Sequence, residues 1–204
     1  MAVAIVDYGA GNLRSVQRAL ETQGVAVEVT SDPSRLLAAE AVVLPGVGAA
    51  ADTMRALADL GLVEPLKEVI ASGRPFLGIC LGLQVLLSGS EEGGWHPCLD
   101  VVPGRVRRLP PTEKVPHMGW NRVFRRTSHP IWEDIPDGSY FYFVHSYYVA
   151  PERDEVVAGE TTYGITFPSV VAWENVVATQ FHPEKSGHRG LQFYRNFTRL
   201  VRGR

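Results

Sequence analysis

The chain has 204 residues, of which 45% are hydrophobic, and this predicts one domain with a sizeable core. A formal net charge of -2 offers no basic face for nucleic acid, and no apolar run approaches the ~20 residues that a membrane span needs. The first residues lack a basic signal segment and the two cysteines make no disulfide framework, so a cytoplasmic protein is expected.

The first 90 residues alternate strand and helix signals. Short apolar runs that end at Gly, Pro or polar residues predict strands at 3–6, 25–29, 41–44 and 76–79. Helical spacing predicts helices from residue 13 to a stop at Gly24, at 50–60, at 63–72, and from Cys80 through Leu87. This alternation predicts a single-domain α/β fold, with an open, mainly parallel or mixed sheet and helices on both faces.

The second half of the chain has a different pattern. Residues 101–180 form short runs rich in Val, Tyr, Phe and Thr, divided by Pro and Gly. These runs predict further strands, several of them antiparallel, that elaborate one sheet edge, so residues 1–204 are expected to form one domain. A final helix is predicted from about Gly190 to Val201, because Leu191, Tyr194 and Phe197 share one face.

The stretch Gly78-Ile79-Cys80-Leu81-Gly82 joins a predicted buried strand to a predicted helix. That pattern is typical of the nucleophile elbow of hydrolases, with cysteine in place of serine. A helix dipole behind Cys80 would favour its thiolate, and the Leu81 N–H would point toward a developing oxyanion. The alternative is that Cys80 is a small buried core residue. Cys98 has no such context and is interpreted as structural.

A candidate general base follows the predicted strand 176–181. His182 lies at the carboxyl end of that strand, where it can meet Cys80 at the same sheet edge. Glu184 lies two residues further on, across Pro183, and can hydrogen-bond one imidazole nitrogen while the other faces sulfur. This is the arrangement of a nucleophile, a base and a residue that orients the base.

Other interpretations of the histidines remain open. His182 could belong to a metal site or cap a chain reversal, but no metal-binding spacing accompanies it, so no metal is expected. His117 and His145 lie in aromatic segments and could line a site or fill the core.

Three blocks together resemble the class I (triad-type) glutamine amidotransferases in their order and spacing: residues 45–48 (Pro-Gly-Val-Gly), 78–84 (Gly-Ile-Cys-Leu-Gly-Leu-Gln) and 180–184 (Gln-Phe-His-Pro-Glu). Four further blocks resemble the subgroup of this family that serves histidine biosynthesis: residues 7–13, 115–121, 142–147 and 185–187. The resemblance covers nearly the whole chain.

The resemblance implies that the chain hydrolyses glutamine without a metal or an organic cofactor. Cys80 resembles the nucleophile that forms a glutamyl thioester, His182 the acid and base, and Glu184 its orienting residue. The segment Gly46–Gly48 resembles the oxyanion strand, in which the Val47 N–H would join that of Leu81. Because glycine permits many φ values, a peptide flip in this segment could switch activity, and we hypothesise that a partner controls it.

Further residues are implied to contact the substrate and a partner. Gln84 and Glu92 resemble side chains that hold the amino-acid end of glutamine, and a carboxylate such as that of Glu92 suits its ammonium group. Ser146 and Tyr147 resemble the segment that gives it backbone contacts. The implied partner is a cyclase (synthase) subunit with a barrel fold, bound in a heterodimer, and the residues implied to face it near the ammonia exit are Asn12, Trp120, Tyr142 and Lys185. For Trp120, burial in the core is the alternative.

Three rival functions remain open at this point. The chain could be a glutaminase for pyridoxal phosphate, anthranilate or GMP synthesis, although blocks 7–13 and 115–121 favour histidine synthesis. It could be a non-catalytic regulatory module on the same fold, which the intact Cys-His-Glu set argues against. It could also be an independent cysteine hydrolase, but the presence of Gln84 and Glu92 argues against that function. Since the chain ends soon after its last predicted helix, a stand-alone subunit is expected.

Overall fold

The computed structural model describes residues 2–203. Over this range the α-helices are α1 (Leu13–Glu21), α2 (Pro33–Ala38), α3 (Ala50–Asp59), α4 (Val63–Ala71), α5 (Leu81–Gln84) and α6 (Gly187–Arg202). The strands are β1 (Ala2–Val6), β2 (Ala26–Thr30), β3 (Ala41–Gly46), β4 (Phe76–Cys80), β5 (Leu87–Ser90), β6 (His96–Pro97), β7 (Val102–Arg108), β8 (His117–Arg125), β9 (Ser139–His145), β10 (Tyr147–Pro151), β11 (Val157–Tyr163), β12 (Ile165–Trp173) and β13 (Val176–Thr179).

The strands form a nine-stranded mixed sheet and a four-stranded sheet. The order of the large sheet is β2-β1-β3-β4-β13-β12-β11-β8-β9. Its first five strands are parallel, and the pairs from β13 to β9 are antiparallel. The small sheet has the order β10-β7-β5-β6. The antiparallel strands therefore extend the edge of the parallel half, as the sequence predicts.

Helices cover both faces of the parallel strands, because side chains alternate across a buried strand. In β1, Val3 and Ile5 pack in one core cluster with residues of α1 and α6. Ala4 and Val6 point the other way, into a second cluster with residues of α2, α3, α4 and α5. The predicted α/β fold with helices on both faces is thus confirmed. No helix within residues 2–203 is long and apolar enough to span a bilayer.

Two elements differ from the sequence prediction. The helix predicted from Cys80 through Leu87 is wrong in length: α5 ends at Gln84, and Leu87 begins β5, which pairs with β7. The apolar run there fits a helix or a strand equally well, and pairing with β7 decides it. The helix α2 was not predicted, although Asp32 caps its first turn through Ser34 N–H at 2.8 Å and Pro33 occupies its first position.

Candidate active site

The predicted site residues lie at one edge of the sheet, at or just after the ends of the three adjacent parallel strands β3, β4 and β13. In the register of β3 and β4, Gly46 lies opposite Cys80. On the other side of β4, Thr179 of β13 lies opposite Ile79, and His182 follows three residues later. Since the carboxyl ends of parallel strands meet at one edge, Cys80 lies between the glycine segment and His182.

Cys80 occupies a sharp, strained turn between β4 and α5. Its backbone has φ 54° and ψ −100°, a region that non-glycine residues adopt at a cost of about 1–3 kcal/mol. Glycines make the turn possible: a Cβ at Gly78 would lie 2.7 Å from the Gly82 carbonyl oxygen. However, α5 has only four residues, so its dipole is weaker than that of the longer helix that the sequence predicted.

Replacing Gly82 with alanine should destabilise the protein by about 2 kcal/mol or more, because the new Cβ would overlap the Leu44 carbonyl oxygen of β3. Thermal unfolding measures the effect. Gly93→Ala is the matched control: a Cβ there meets open space, and only its φ of +70° opposes the change. Equal losses of Tm in the two variants would show that the close approach of α5 to β3 does not matter.

His182 is held by Glu184 and interacts with Cys80. Its Nδ1 donates to Glu184 Oε1 at 2.8 Å, and the two side chains are 3% and 2% exposed. Its other nitrogen, Nε2, is buried and makes no hydrogen bond within residues 2–203. Burial lowers the pKa of His182, but the nearby Cys80 and Glu184 side chains together outweigh burial and raise the pKa to about 10. The arrangement therefore favours a protonated His182 imidazolium at neutral pH.

A buried glutamine also contacts the sulfur. Gln180 Nε2 donates to Cys80 Sγ at 3.6 Å, and Gln180 Oε1 accepts from Gln84 Nε2 at 3.3 Å. Gln84 Nε2 also donates to the Tyr147 carbonyl oxygen at 3.0 Å. Gln180 belongs to the block 180–184, but no role was predicted for it from the sequence. Its position directly before Phe181-His182 at the strand end was the available signal.

A cavity of about 260 Å³ opens beside Cys80. This volume lies just below the ~300–1,000 Å³ of sites for drug-sized ligands, and so suits a ligand the size of an amino acid. The cavity brings together nine of the residues singled out from the sequence: Val47, Gly48, Cys80, Leu81, Gln84, Glu92, His145, Ser146 and Tyr147. His182 and Glu184 lie behind Cys80 and are not part of the lining.

Two buried tyrosines adjoin the site and were missed by the sequence analysis. The Tyr8 hydroxyl lies against Gly46, where a Cβ would overlap it, and near the Val47 backbone and Thr53. Burial raises the pKa of the Tyr8 phenol, and the nearby negative charge of Cys80 adds to this. Burial likewise raises the pKa of Tyr194, whose hydroxyl lies beside Glu184. Neither residue stands next to a catalytic block in sequence.

The predicted partner residues lie on the surface near this edge. Trp120 is 56% exposed, so it is not a core residue, and its ring meets that of Tyr142 edge-on at 6.1 Å. Lys185 Nζ lies 5.8 Å from the centre of the Tyr142 ring. Asn12 is exposed just before α1, which packs against the turn Pro183–Lys185. Trp120, Tyr142 and Lys185 therefore form one cluster, and Asn12 precedes a helix that packs against the turn containing Lys185.

The two histidines that the sequence left open are both buried. Burial lowers the pKa of His117 to about 4. Burial also lowers the pKa of His145 to about 3; His117 and His182 add to this effect, and the Tyr147 carbonyl opposes it. Both rings are therefore neutral at pH 7, and neither is arranged as a base for Cys80.

These low pKa values predict that acid destabilises the fold. Unfolded histidines titrate near ~6.5, so between about pH 6.5 and 4 the unfolded chain binds more protons than the folded one. The free energy of unfolding should fall by about 1.4 kcal/mol per pH unit for each histidine in this window, and should not depend on them above it. Urea titrations at several pH values test this: His117→Phe should flatten the slope, whereas His188→Gln, at an exposed position, should not.

The fold and the grouping of Cys80, His182 and Glu184 are typical of α/β hydrolytic enzymes that use a cysteine thiolate. Residues 4–200 match the family model described as glutamine amidotransferase class-I. The chain therefore belongs to the class-I glutamine amidotransferase family.

Curated relatives resemble the chain over almost its whole length. The protein of Dehalococcoides mccartyi, strain CBDB1, that is named imidazole glycerol phosphate synthase subunit HisH is 50% identical to this chain, over 98% of both chains. The relative of that name in Chloroflexus aurantiacus is 54% identical over 97% of this chain and 95% of its own length. The one in Moorella thermoacetica is 54% identical over 98% and 95%.

Solved structures of lower identity share the fold. A structure described as PurLQS from Thermotoga maritima superposes with a TM-score of 0.75 at 17% identity, over 99% of this chain and 97% of that one. A structure described as a glutamine amidotransferase gives a TM-score of 0.73 at 20% identity, over 97% and 98%. At such identities the likeness extends to the fold alone.

Proposed function

We propose that this chain is the glutaminase subunit of an imidazole glycerol phosphate synthase, which hydrolyses glutamine and passes the ammonia to a cyclase subunit in histidine biosynthesis. The observation that carries the proposal is the 50–54% identity, over nearly the full length, to relatives that bear this name. The chemistry of the cavity beside Cys80 also supports the proposal, because the cavity combines a candidate nucleophile with polar groups suited to an amino acid.

In the first half-reaction the Cys80 thiolate attacks the side-chain amide carbon of glutamine. The tetrahedral oxyanion forms at the glycine segment, where the N–H groups of Val47 and Leu81 are the proposed donors. The His182 imidazolium then gives its proton to the amide nitrogen, the C–N bond breaks, and ammonia leaves. The products are a glutamyl thioester on Cys80 and a neutral His182 that Glu184 still orients.

In the second half-reaction water replaces ammonia. Neutral His182 removes a proton from water as the oxygen attacks the thioester carbon. Collapse of the second tetrahedral intermediate breaks the C–S bond, releases glutamate and restores the thiolate–imidazolium pair. Gln180 Nε2, 3.6 Å from the sulfur, stabilises the thiolate at the start and at the end of the cycle.

The cavity offers matching groups for the amino-acid end of glutamine. Glu92 lies on the rim with one oxygen 3.2 Å from the Ala50 N–H, and it is the proposed partner of the substrate ammonium. Gln84, Ser146 and Tyr147 line the same cavity and are the proposed remaining contacts. These contacts bind substrate before and during the reaction, so their removal should raise KM more than it lowers kcat.

The proposed partner surface is the outer face of strands β8 and β9. Met118 and Trp120 are 63% and 56% exposed on one side of β8, and Tyr142 lies opposite Trp120 on β9. The Tyr142 carbonyl oxygen accepts from the His182 N–H at 2.9 Å, so this surface is one hydrogen bond away from the proposed base. An exposed aromatic patch of this kind is typical of an interface, and a cyclase subunit with a barrel fold, forming a heterodimer in the cytoplasm, is the occupant we propose.

Glutamate release from glutamine tests the proposed function. The purified chain is assayed alone, with a histidine-pathway cyclase subunit, and with that subunit and its nucleotide ligand. A large increase only in the last two mixtures is expected if the partner controls the oxyanion peptide. Stimulation by the synthase of another pathway instead would reassign the glutaminase, and full activity without a partner would indicate an independent hydrolase.

Replacing Trp120 with alanine should weaken binding of the cyclase subunit by about 2 kcal/mol, which is roughly a 30-fold rise in Kd. Calorimetric titration of the two subunits measures this. Trp95→Ala is the matched control: Trp95 is also exposed, at 53%, but it packs against Gly89 and Arg105 of the small sheet. An unchanged Kd for the Trp120 variant would remove this surface from the interface.

A further inference from the structure

Two buried histidines form a hydrogen-bonded pair that the proposed mechanism does not use. His117 Nδ1 and His145 Nε2 are 2.9 Å apart. On one side of the pair, His145 Nδ1 lies 2.9 Å from the Tyr147 carbonyl oxygen. On the other side, His117 Nε2 lies 3.2 Å from the Asn121 side-chain nitrogen. We call Asn121, His117 and His145 the histidine row; it leads from strand β8 to the cavity that Tyr147 lines.

The Tyr147 end fixes the position of every proton in the histidine row. A carbonyl oxygen only accepts hydrogen bonds, so His145 Nδ1 must carry a proton. In a neutral ring the other nitrogen, Nε2, then accepts, and His117 Nδ1 must donate to it. His117 Nε2 is left as an acceptor and needs a donor, and the amide nitrogen of Asn121, 3.2 Å away, supplies it.

The Asn121 end gives the same answer independently. Its side-chain oxygen lies 2.8 Å from the Arg122 N–H, which only donates, and its nitrogen lies 3.0 Å from the Thr162 carbonyl oxygen, which only accepts. These two neighbours fix the orientation of the amide, so its nitrogen faces His117 and donates. Both ends therefore require Nδ1-protonated, neutral rings.

Packing also holds the rings in place. The His117 ring stacks on Tyr163, with ring centres 4.0 Å apart, and on Phe143, with ring centres 4.9 Å apart. His117 and His145 are 3% and 6% exposed. Burial disfavours a charged ring at either position, which agrees with the neutral tautomers that the hydrogen bonds require.

We propose that Asn121, His117 and His145 are positioning residues for glutamine: with both rings protonated at Nδ1, they hold the Tyr147 carbonyl and, through it, Gln84. This rests on the proposed function, since it assigns Gln84 and Tyr147 to the glutamine site. The Tyr147 carbonyl oxygen accepts hydrogen bonds from both His145 and Gln84. Without the bond from His145, the carbonyl is held less firmly, and so is the Gln84 side chain that donates to it. Because β8 also presents Met118 and Trp120 outward, the histidine row begins on the strand proposed to meet the cyclase subunit.

Nitrogen-15 spectra of the imidazole rings in the full chain test the tautomers directly. At pH 7.5 both His117 and His145 should show a protonated Nδ1 and an unprotonated Nε2, and both should stay neutral down to about pH 5. The exposed His188 serves as the internal reference in the same spectra. A protonated Nε2 on either ring, or a charged ring at pH 7.5, overturns the proposal.

Two substitutions of His117 separate hydrogen bonding from ring packing, assayed in the complex with the cyclase subunit and its ligand. His117→Phe keeps a stacking ring but removes the donor, and should raise KM for glutamine about fivefold with kcat changed less than twofold. His117→Asn removes the ring but keeps a donor near the Nδ1 position, and should stay within twofold of wild type.

The reverse order, or no change in the phenylalanine variant, overturns the positioning role. Absence of glutamine turnover in the wild-type complex would overturn the proposed function instead, and the ring tautomers would still decide the arrangement of the histidine row.

Discussion

Replacing Cys80 with alanine should lower kcat for glutamine hydrolysis by at least ~10⁴-fold, because no other group can form the thioester. Binding should change little, since the side chain loses one atom and the cavity keeps Gln84, Glu92 and Tyr147. Glutamate release in the complex with the cyclase subunit measures kcat, and isothermal titration with glutamine measures binding to the inactive variant.

Cys98→Ala is the matched control for this loss. Cys98 is the other free thiol of the described residues, is partly buried, and has a pKa that burial raises to about 11, so it is a poor nucleophile. It should keep full activity. A diazo-ketone analogue of glutamine should label wild type and the Cys98 variant once per chain, and the Cys80 variant not at all. Substantial turnover by the Cys80 variant would rule out the thioester route.

Replacing Glu184 with glutamine should lower kcat by roughly 10²–10⁴-fold, by analogy with the orienting acid of other triads. The carboxylate accepts from His182 Nδ1 at 2.8 Å, and its charge helps to keep the imidazolium in a buried site. A neutral amide weakens that support, so the pKa of His182 should fall and the thiolate–imidazolium pair should be less populated. KM should hardly change, since Glu184 does not line the cavity.

A pH profile distinguishes this effect from simple damage to the fold. In wild type the raised pKa of His182 keeps the imidazolium protonated through neutral pH, and activity should decline only as pH rises toward that value. In Glu184→Gln the decline should begin at lower pH. Glu133→Gln, at an exposed carboxylate paired with Arg199, is the control and should keep the wild-type profile. Identical profiles for the Glu184 variant and wild type would show that this carboxylate does not support the charge of His182.

The parts of the site that could be predicted from sequence are those whose positions follow from local rules. Cys80 and His182 end neighbouring parallel strands, and a sheet edge brings such positions together whatever the rest of the chain does. Glu184 was predicted beside His182 and does lie there, but the reason given was wrong: Pro183–Lys185 form a 3-10 turn and not an extended chain, and this turn brings the carboxylate to the imidazole. The catalytic roles of these residues remain predictions for the mutations above to test.

The features that could not be predicted from the sequence depend on contacts between residues far apart in the chain. Gln180 contacts the sulfur across 100 positions of sequence, and the Tyr147 carbonyl meets Gln84 across 63. Neither pairing leaves a local pattern, since a buried glutamine and an exposed one look alike in sequence. The short length of α5 has the same cause: residues 85–87 are apolar, and only the presence of β7 makes Leu87 a strand residue.

The alignment of β3, β4 and β13 has a consequence for how the protein loses activity. The glycine segment, Cys80 and His182 keep their spacing through backbone register, and a slip of one residue would move a strand by about 3.3 Å and turn its side chains to the other face. The site therefore cannot loosen gradually. Amide protons of these three strands should be among the slowest to exchange with solvent, and inactivation by heat or urea should coincide with global unfolding.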